Sequence, residues 1–201
     1  MARILIACEF SGIVREAFRK QGHDAWSCDL LDTEIPGQHI KGNVLKVFNR
    51  NWDLIIGFPP CTYLANSGVQ HLYKDKTRWK KMLLACDFFN TLRYANIDKI
   101  CVENPVPHGY ARQFIGMYDQ IVQPYQFGHE VSKRTCLWLK KLPKLQSTNI
   151  VDKGERYYGK NGKSNGAKWY QLPSSSDRWR ERSRTFPGIA NAMAIQWGKL
   201  L

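Results

Sequence analysis

The sequence lacks any apolar run near the ~20 residues that span a bilayer. Its longest clean one, Ile4 to Cys8, has the length of a buried strand. Its first residues have no basic region, apolar stretch and small-residue cleavage site, so export and membrane insertion are not expected. The six cysteines, at 8, 28, 61, 86, 101 and 136, contain no CxxC pair, which leaves a zinc ribbon or thioredoxin-type site without support. With no export signal the thiols are expected to be reduced, and most to be small buried hydrophobes. His23, His39, His71, His108 and His129 show no metal spacing, so no metal is expected. A full GxGxxG is absent. Gly162-Lys163-Ser164 does not complete a phosphate-binding loop, because Tyr157 holds the position of its first glycine. There are no internal repeats.

Acidic residues are scarce. The chain of 201 residues carries 30 Lys and Arg against 17 Asp and Glu, a net charge of +13. A composition 43% hydrophobic and 23% charged is that of a globular protein, and the length fits one domain, or one domain with a small appendage. The charge is uneven: residues 144–201 carry 11 basic and 4 acidic side chains, and residues 1–143 carry 19 and 13. A field concentrated in one region points to a polyanionic partner, most often nucleic acid. The plainer alternative is that it keeps the protein in solution.

Strand and helix signals alternate through the first 140 residues. Arg3 to Cys8 reads as a buried strand. Gly12 to Gln21 reads as a helix with Ile13, Val14, Ala17 and Phe18 on one face and Gly22 past its end. Asp24 to Cys28 is a second strand ending at Asp29, and Trp52 to Ile56 a third, stopped by Gly57 and Pro59-Pro60. Thr77 to Ala95 is a long helix, Ile97 to Val102 a strand stopped by Glu103-Asn104-Pro105, and Cys136 to Leu139 a late strand. This alternation predicts an α/β fold with a mostly parallel sheet and helices on both faces. From Gln146 to Arg184 glycine, serine, asparagine and basic residues surround Tyr157, Tyr158, Trp169, Tyr170 and Trp179, which reads as a small irregular appendage. Pro187 to Leu201 is apolar again and reads as a helix returning to the sheet.

In open parallel sheets ligands bind beyond the carboxyl ends of the strands. Four segments fall there: Glu9-Phe10-Ser11-Gly12, Asp29-Leu30, Phe58-Pro59-Pro60-Cys61 and Glu103-Asn104-Pro105. Phe10-Ser11-Gly12 leads into a helix, where a small residue lets a ligand reach the backbone at the helix N-terminus. Asp29 follows Gly12 by 17 residues, near the spacing of a carboxylate that holds ribose hydroxyls. Two prolines stiffen the loop that presents Cys61, a nucleophile if its thiolate is stabilised and otherwise a structural thiol. Glu103 could exchange a proton or hydrogen bond with a heterocycle beside that thiol, or be an ordinary salt-bridged carboxylate.

Phe10-Ser11-Gly12, Pro60-Cys61, Glu103-Asn104 and Gly188-Ile189-Ala190-Asn191-Ala192 occur in the order and rough spacing of the cytosine-5 DNA methyltransferases. The chain resembles that family over roughly residues 3–143 and 185–198, and most of all its compact phage or prophage members. The resemblance implies a Rossmann-like S-adenosylmethionine-dependent methyltransferase fold. Its catalytic and cofactor-binding domain would be residues 1–145, its basic target-recognition region 146–184, and its returning helix 185–201. It also implies that Cys61 attacks carbon 6 of a flipped-out cytosine in duplex DNA, that Glu103 contacts ring nitrogen 3 and the exocyclic amine, and that Asn104 orders the loop. Lys133 and Arg134 are both candidates for contacting the flipped base and its phosphate. Cofactor contacts would be Phe10, Ser11, Gly12, Asp29, Leu30, Asn43, Val44, Pro59 and Asn191. DNA contacts would be Thr62, Asn66, Ser67, Lys163, Lys168, Arg178, Arg180, Arg182 and Arg184. The protein would act as a monomer in the cytoplasm of a bacterial or phage-infected cell.

The sequence departs from the family's pattern at several points. Cys8 and Glu9 precede Phe10 in place of an aspartate, and Ile13-Val14 follow Gly12. Leu30 stands where an aromatic often stacks on adenine, and Asn43 replaces a usual aspartate. Thr62 follows Cys61 in place of glutamine, Pro105 follows Asn104, and Ala190 precedes Asn191 in place of glycine. A Gln-x-Arg-x-Arg motif is reduced to Ser132-Lys133-Arg134-Thr135. Two other readings stay open at this point: a catalytically silent DNA-binding protein that keeps the fold, and a cytosine-5 methyltransferase acting on RNA.

Overall fold

The computed structural model describes residues 1–158, 164–167, 175 and 177–201. Seven strands form one sheet: β1 (Arg3–Ala7), β2 (Asp24–Asp29), β3 (His39–Lys41), β4 (Leu54–Gly57), β5 (Lys99–Pro105), β6 (Gln120–Val122) and β7 (Thr135–Lys140). They lie in the order β3-β2-β1-β4-β5-β7-β6. Every pairing from β3 across to β5 is parallel, and β7 runs antiparallel between β5 and β6. The chain steps outward from β1 to β2 and β3, then crosses back to place β4 on the other side of β1. That reversal opens a crevice at the carboxyl ends of β1 and β4.

The helices are α1 (Ile13–Lys20), α2 (His71–Lys74), α3 (Thr77–Arg93), α4 (Gly109–Ile115), α5 (Arg178–Ser183) and α6 (Pro187–Gly198). Strand side chains alternate between the two faces and are buried on both, as in parallel sheets covered by helices. Ile4, Ile6, Leu54, Ile56 and Leu137 pack with Val14, Phe18, Met193 and Trp197 of α1 and α6. Leu5, Ile55, Ile100, Val102 and Trp138 pack with Met82, Cys86, Phe89, Ala111 and Ile115 of α3 and α4. Phe89 meets Trp138 edge-on at a ring separation of 4.8 Å. All six cysteines are free, with Cys28, Cys86, Cys101 and Cys136 buried. Among the described residues no helix is long and apolar enough to cross a membrane.

α6 starts with Pro187 at its first turn, where a missing N–H costs nothing. Gly188 is required by the packing there: a Cβ on it would lie 1.9 Å from the Phe127 carbonyl oxygen. Its N–H donates to His129 Nε2 at 2.9 Å, which pins α6 to the turn ahead of β7.

The region between 146 and 184 carries only short elements among the described residues. It contains a hairpin of β8 (Arg156–Tyr158) and β9 (Ser164–Ala167), and α5. α5 buries no side chain and carries no apolar stripe, so periodicity could not reveal it. β3 and β6 are three residues each, and they and the seven-residue α4 were likewise too short to leave a pattern in the sequence.

Candidate active site

The loop carrying Cys61 leaves the carboxyl end of β4 and is tied down by the last residues of β5 and the chain after it. Asn104 donates from Nδ2 to the Pro59 carbonyl at 3.0 Å, and its Oδ1 is buried without a partner. The Asn66 N–H donates to the Val106 carbonyl, the His108 N–H to the Leu64 carbonyl, and Ala65 bridges Pro107. The Cys61 carbonyl accepts from the N–H groups of Leu64 and Ala65 at 3.0 and 2.9 Å. The thiol is thus presented from a turn with little freedom.

Three charged side chains bear on that thiol. Burial, and then the Glu103 carboxylate, push the Cys61 thiol above its ordinary value; Lys133 and Arg182 pull it down. Glu103 ends deep in the same pocket. Burial raises its carboxyl, opposed by Lys133 and by a hydrogen bond from Thr135. Burial lowers the Lys133 ammonium, and Glu103 and Cys61 hold it up. Lys133 also donates to the Arg182 carbonyl at 2.9 Å and lies 5.8 Å from the Phe186 ring centre. Arg134, the other candidate, is exposed. The pocket therefore brings together a thiol, a carboxyl group raised by burial and a lysine ammonium, each of which bears electrostatically on the others.

The second half of the crevice lies at β1 and β2. Phe10 and Ser11 are buried, and Gly12 adopts a left-handed backbone, φ 78°, which a glycine tolerates. The expected approach of a ligand to the N-terminus of α1 is not available, because Glu9 fills it. Its carboxylate accepts from the Val14 N–H at 2.7 Å, the Arg15 N–H at 3.4 Å and the Ser11 hydroxyl at 3.1 Å, so the helix's first amides are satisfied internally. At the end of β2, Asp29 accepts the Leu31 N–H through one oxygen and leaves the other unengaged among the described residues, while Leu30 beside it is 72% exposed. Asn43 caps the 3-10 turn Val44–Val47 through Oδ1, and Val44 is buried beneath it. A carboxylate oxygen placed for a diol beside an open apolar face suits the ribose and adenine of S-adenosylmethionine. The donor set therefore fits that cofactor. Pro59 is buried under the Cys61 loop, and Asn191 is exposed on α6, which packs against α1.

One residue that shapes the site, Arg15, escaped the sequence reading. Arg15 is fully buried and donates to Glu16, Ser27, Thr33 and the Ile35 carbonyl, which fixes the loop after β2. A Cβ on Gly12 would come 2.8 Å from its guanidinium. An arginine on the apolar side of α1 was the available signal. From α5, Trp179 lies over Phe10 at a ring separation of 5.8 Å, and Arg184 grips Glu34 with two bonds of 2.8 Å. α5 holds Arg178, Arg180 and Arg182, with Arg180 on the side away from the other two, and Arg184 follows in extended backbone. Thr62, Asn66 and Ser67 are exposed on the Cys61 loop. Lys163 and Lys168 lie outside the described residues.

No protein-family model matches the sequence, and neither does any curated protein. Among solved structures, the chain is similar to a prophage-encoded protein of E. coli that carries the name of a DNA modification methyltransferase. The TM-score is 0.50 at 16% identity, over 76% of this chain and 52% of that one. The fold is that of a methyltransferase. A mutant of Spodoptera frugiperda DNMT2 aligns with TM-score 0.41 at 17% identity, over 79% of this chain and 57% of that one. The chain thus spans about half the length of the solved structures it matches.

Proposed function

We propose that the protein transfers a methyl group from S-adenosylmethionine to carbon 5 of cytosine in DNA, through a transient bond from Cys61. One observation carries this reading: Cys61 sits on a fixed turn at a strand's carboxyl end, faced by Glu103 and Lys133, beside a crevice suited to a nucleoside cofactor.

The chemistry follows from the charges. Cys61 reacts as the thiolate, favoured by Lys133 and Arg182, after its proton passes to solvent. Its sulfur bonds to carbon 6, and the displaced electron pair makes carbon 5 nucleophilic. Glu103, held toward its protonated form by burial, donates that proton to ring nitrogen 3 and so neutralises the charge the attack creates. S-adenosylmethionine, when bound, supplies an electrophilic methyl group to carbon 5. Loss of the carbon-5 proton then re-forms the ring double bond and expels Cys61, and nitrogen 3 returns its proton to Glu103. The balance is one methyl cation for one proton. A cytosine inside a duplex is out of reach, so the base must be flipped out, at about a few kcal/mol. The exposed Cys61 loop, through Thr62, Asn66 and Ser67, and the basic region 146–184, through Arg178 and Arg180, supply contacts that offset this cost.

The test is an intact-mass measurement after incubation with S-adenosylmethionine and mixed-sequence duplex DNA containing 5-fluorocytosine, with Cys61→Ala in parallel. Fluorine blocks the final proton loss, so the wild type should remain bonded to methylated DNA and the variant should not. An equal adduct in Cys61→Ala would overturn the nucleophile. DNA binding with neither adduct nor cofactor binding would make the chain a silent DNA-binding protein. An adduct with structured RNA alone would move the substrate class.

A further inference from the structure

At the amino ends of the strands several cations are neutralised by carboxylates. Arg3 pairs with Asp24 at 3.3 Å, and Lys99 and Lys141 pair with Asp98 at 2.9 and 2.7 Å. At the carboxyl end, where the Cys61 loop lies, the segment His71–Lys81 carries Lys74, Lys76, Arg78, Lys80 and Lys81 against Asp75 alone. None of these five makes an ion pair among the described residues. Asp75 is engaged by the Thr77 N–H and hydroxyl at 2.9 and 2.7 Å, with Lys81 and Arg78 nearby lowering its carboxyl further. Four of the five are exposed, and Arg78 is half-buried.

Arg78 joins this segment to the reacting loop. It donates to the carbonyl of Thr62, the residue after Cys61, at 3.4 Å, and its guanidinium lies 4.7 Å over the Tyr63 ring. Its Nε–H is buried with no acceptor, an arrangement that costs free energy unless something else accepts that bond. The platform behind it is rigid. Trp79 meets Tyr110 edge-on at 5.0 Å, and exposed Tyr73 is held by both rings and by a hydroxyl contact to Tyr110.

We propose that α2 and the first turn of α3 form a second nucleic-acid surface, on the catalytic side rather than in the basic region 146–184, that grips the phosphate backbone of duplex DNA flanking the target base. This rests on the function proposed above. Unpaired cations on a fixed platform complement a polyanion, and continuity with the Cys61 loop puts that polyanion beside the reacting base. Arg78 is the anchor, because its planar guanidinium is fixed on Thr62 and Tyr63 of the Cys61 loop and suits a phosphate oxygen through its terminal nitrogens. Lys74, Lys80 and Lys81 add screened contacts.

The experiment measures duplex affinity against salt for the wild type, for Lys74→Gln/Lys80→Gln/Lys81→Gln, and for Lys20→Gln/Lys141→Gln/Lys199→Gln. The last variant removes the same charge from exposed lysines away from the Cys61 loop. At about 0.9 per phosphate contact, the first triple variant should lower the slope of log K against log salt by about 2 to 3. Its affinity near 0.1 M salt should fall at least about tenfold, with an upper bound on the order of 500-fold from that slope. The control should keep the wild-type slope. Equal slopes for the two triple variants would overturn the surface, and if the wild type still forms its Cys61 adduct the proposed function stands without it. A wild type that binds no DNA and forms no adduct overturns both. A slope lost only on structured RNA of equal length overturns the assignment to DNA.

Discussion

Replacing Lys133 by methionine should slow alkylation of Cys61 about five- to thirtyfold near pH 8. Lys133 favours the Cys61 thiolate more than any other charge does, against burial and Glu103. A unit charge about 4 Å away is worth ~1 kcal/mol in water and ~4 kcal/mol at an effective dielectric near 20. The pocket is intermediate, so losing Lys133 should cost the thiolate about 1 to 2 kcal/mol, or about five- to thirtyfold in its fraction. A second effect opposes the first. Without Lys133, Glu103 takes up a proton more readily and stops repelling the thiolate, which moves the result toward the lower figure. The assay is the rate of mass addition by iodoacetamide across pH, with Cys61→Ala as background. Cys8, pushed up to about 12, and the four buried cysteines should react more slowly. The wild-type rate should still be climbing above the ordinary thiol range. Lys133→Arg should retain most of the reactivity, Glu103→Gln should raise it, and the double variant Glu103→Gln/Lys133→Met should return near the wild type. An unchanged or faster rate in Lys133→Met, with unaltered melting, would refute the assignment of these charges to one pocket.

Gly188→Ala should destabilise the fold by about 1–3 kcal/mol or more, read as a lower melting temperature, because α6 or the Phe127 turn must retreat by more than an ångström. His129 accepts the Gly188 N–H, and burial depresses its folded value below 6.5. The stability it contributes is present above that value and is lost as pH falls through the depressed folded one, so His129→Gln should flatten the acid side of the melting curve. Glu9→Ala should cost about 1–3 kcal/mol by orphaning the Val14 and Arg15 amides, measurable by urea unfolding. Arg184→Ala should speed amide exchange through 178–183 about two- to tenfold, since a bidentate but partly exposed pair contributes about 0.5–1.5 kcal/mol. High salt should narrow that difference.

The core of the fold was legible because buried parallel strands write continuous apolar runs. Ile4 to Ala7 and Leu54 to Ile56 need no partner to be read as strands, and the Gly57 and Pro59-Pro60 stops placed Cys61 at their carboxyl edge. The reversal between β1 and β4 then brought Phe10, Asp29, Cys61 and Glu103 to one crevice. What stayed hidden depends on tertiary partners. α5 shows no periodicity, because its place is fixed by single contacts from Trp179, Arg182 and Arg184 rather than by a buried face. The choice between Lys133 and Arg134 also needed three dimensions: neighbours in a chain leaving a loop point apart, and only Lys133 turns toward Glu103.

The departures from the methyltransferase pattern account for one another. With no aspartate ahead of Phe10, Glu9 reaches round to hold the first amides of α1, and Cys8 bends through a positive φ of 59° to let it do so. The space that further glycines would leave beside Gly12 is taken by Arg15, whose guanidinium binds the loop that carries Glu34. That loop in turn anchors Arg184, so the arginine buried under α1 and the arginine after α5 hold the same wall from its two sides. Ala190 in place of glycine is fully buried between α6 and its neighbours, a site with room for one methyl group and no positive φ to forbid it. In the pocket of Cys61 a lysine stands in the reduced motif where the family that the sequence resembles has arginines. Its single ammonium still faces both Cys61 and Glu103, and its remaining donor capacity holds the backbone of Arg182. One substitution in such a set would leave an amide, a loop or a charge without its partner, whereas together they leave each of them satisfied.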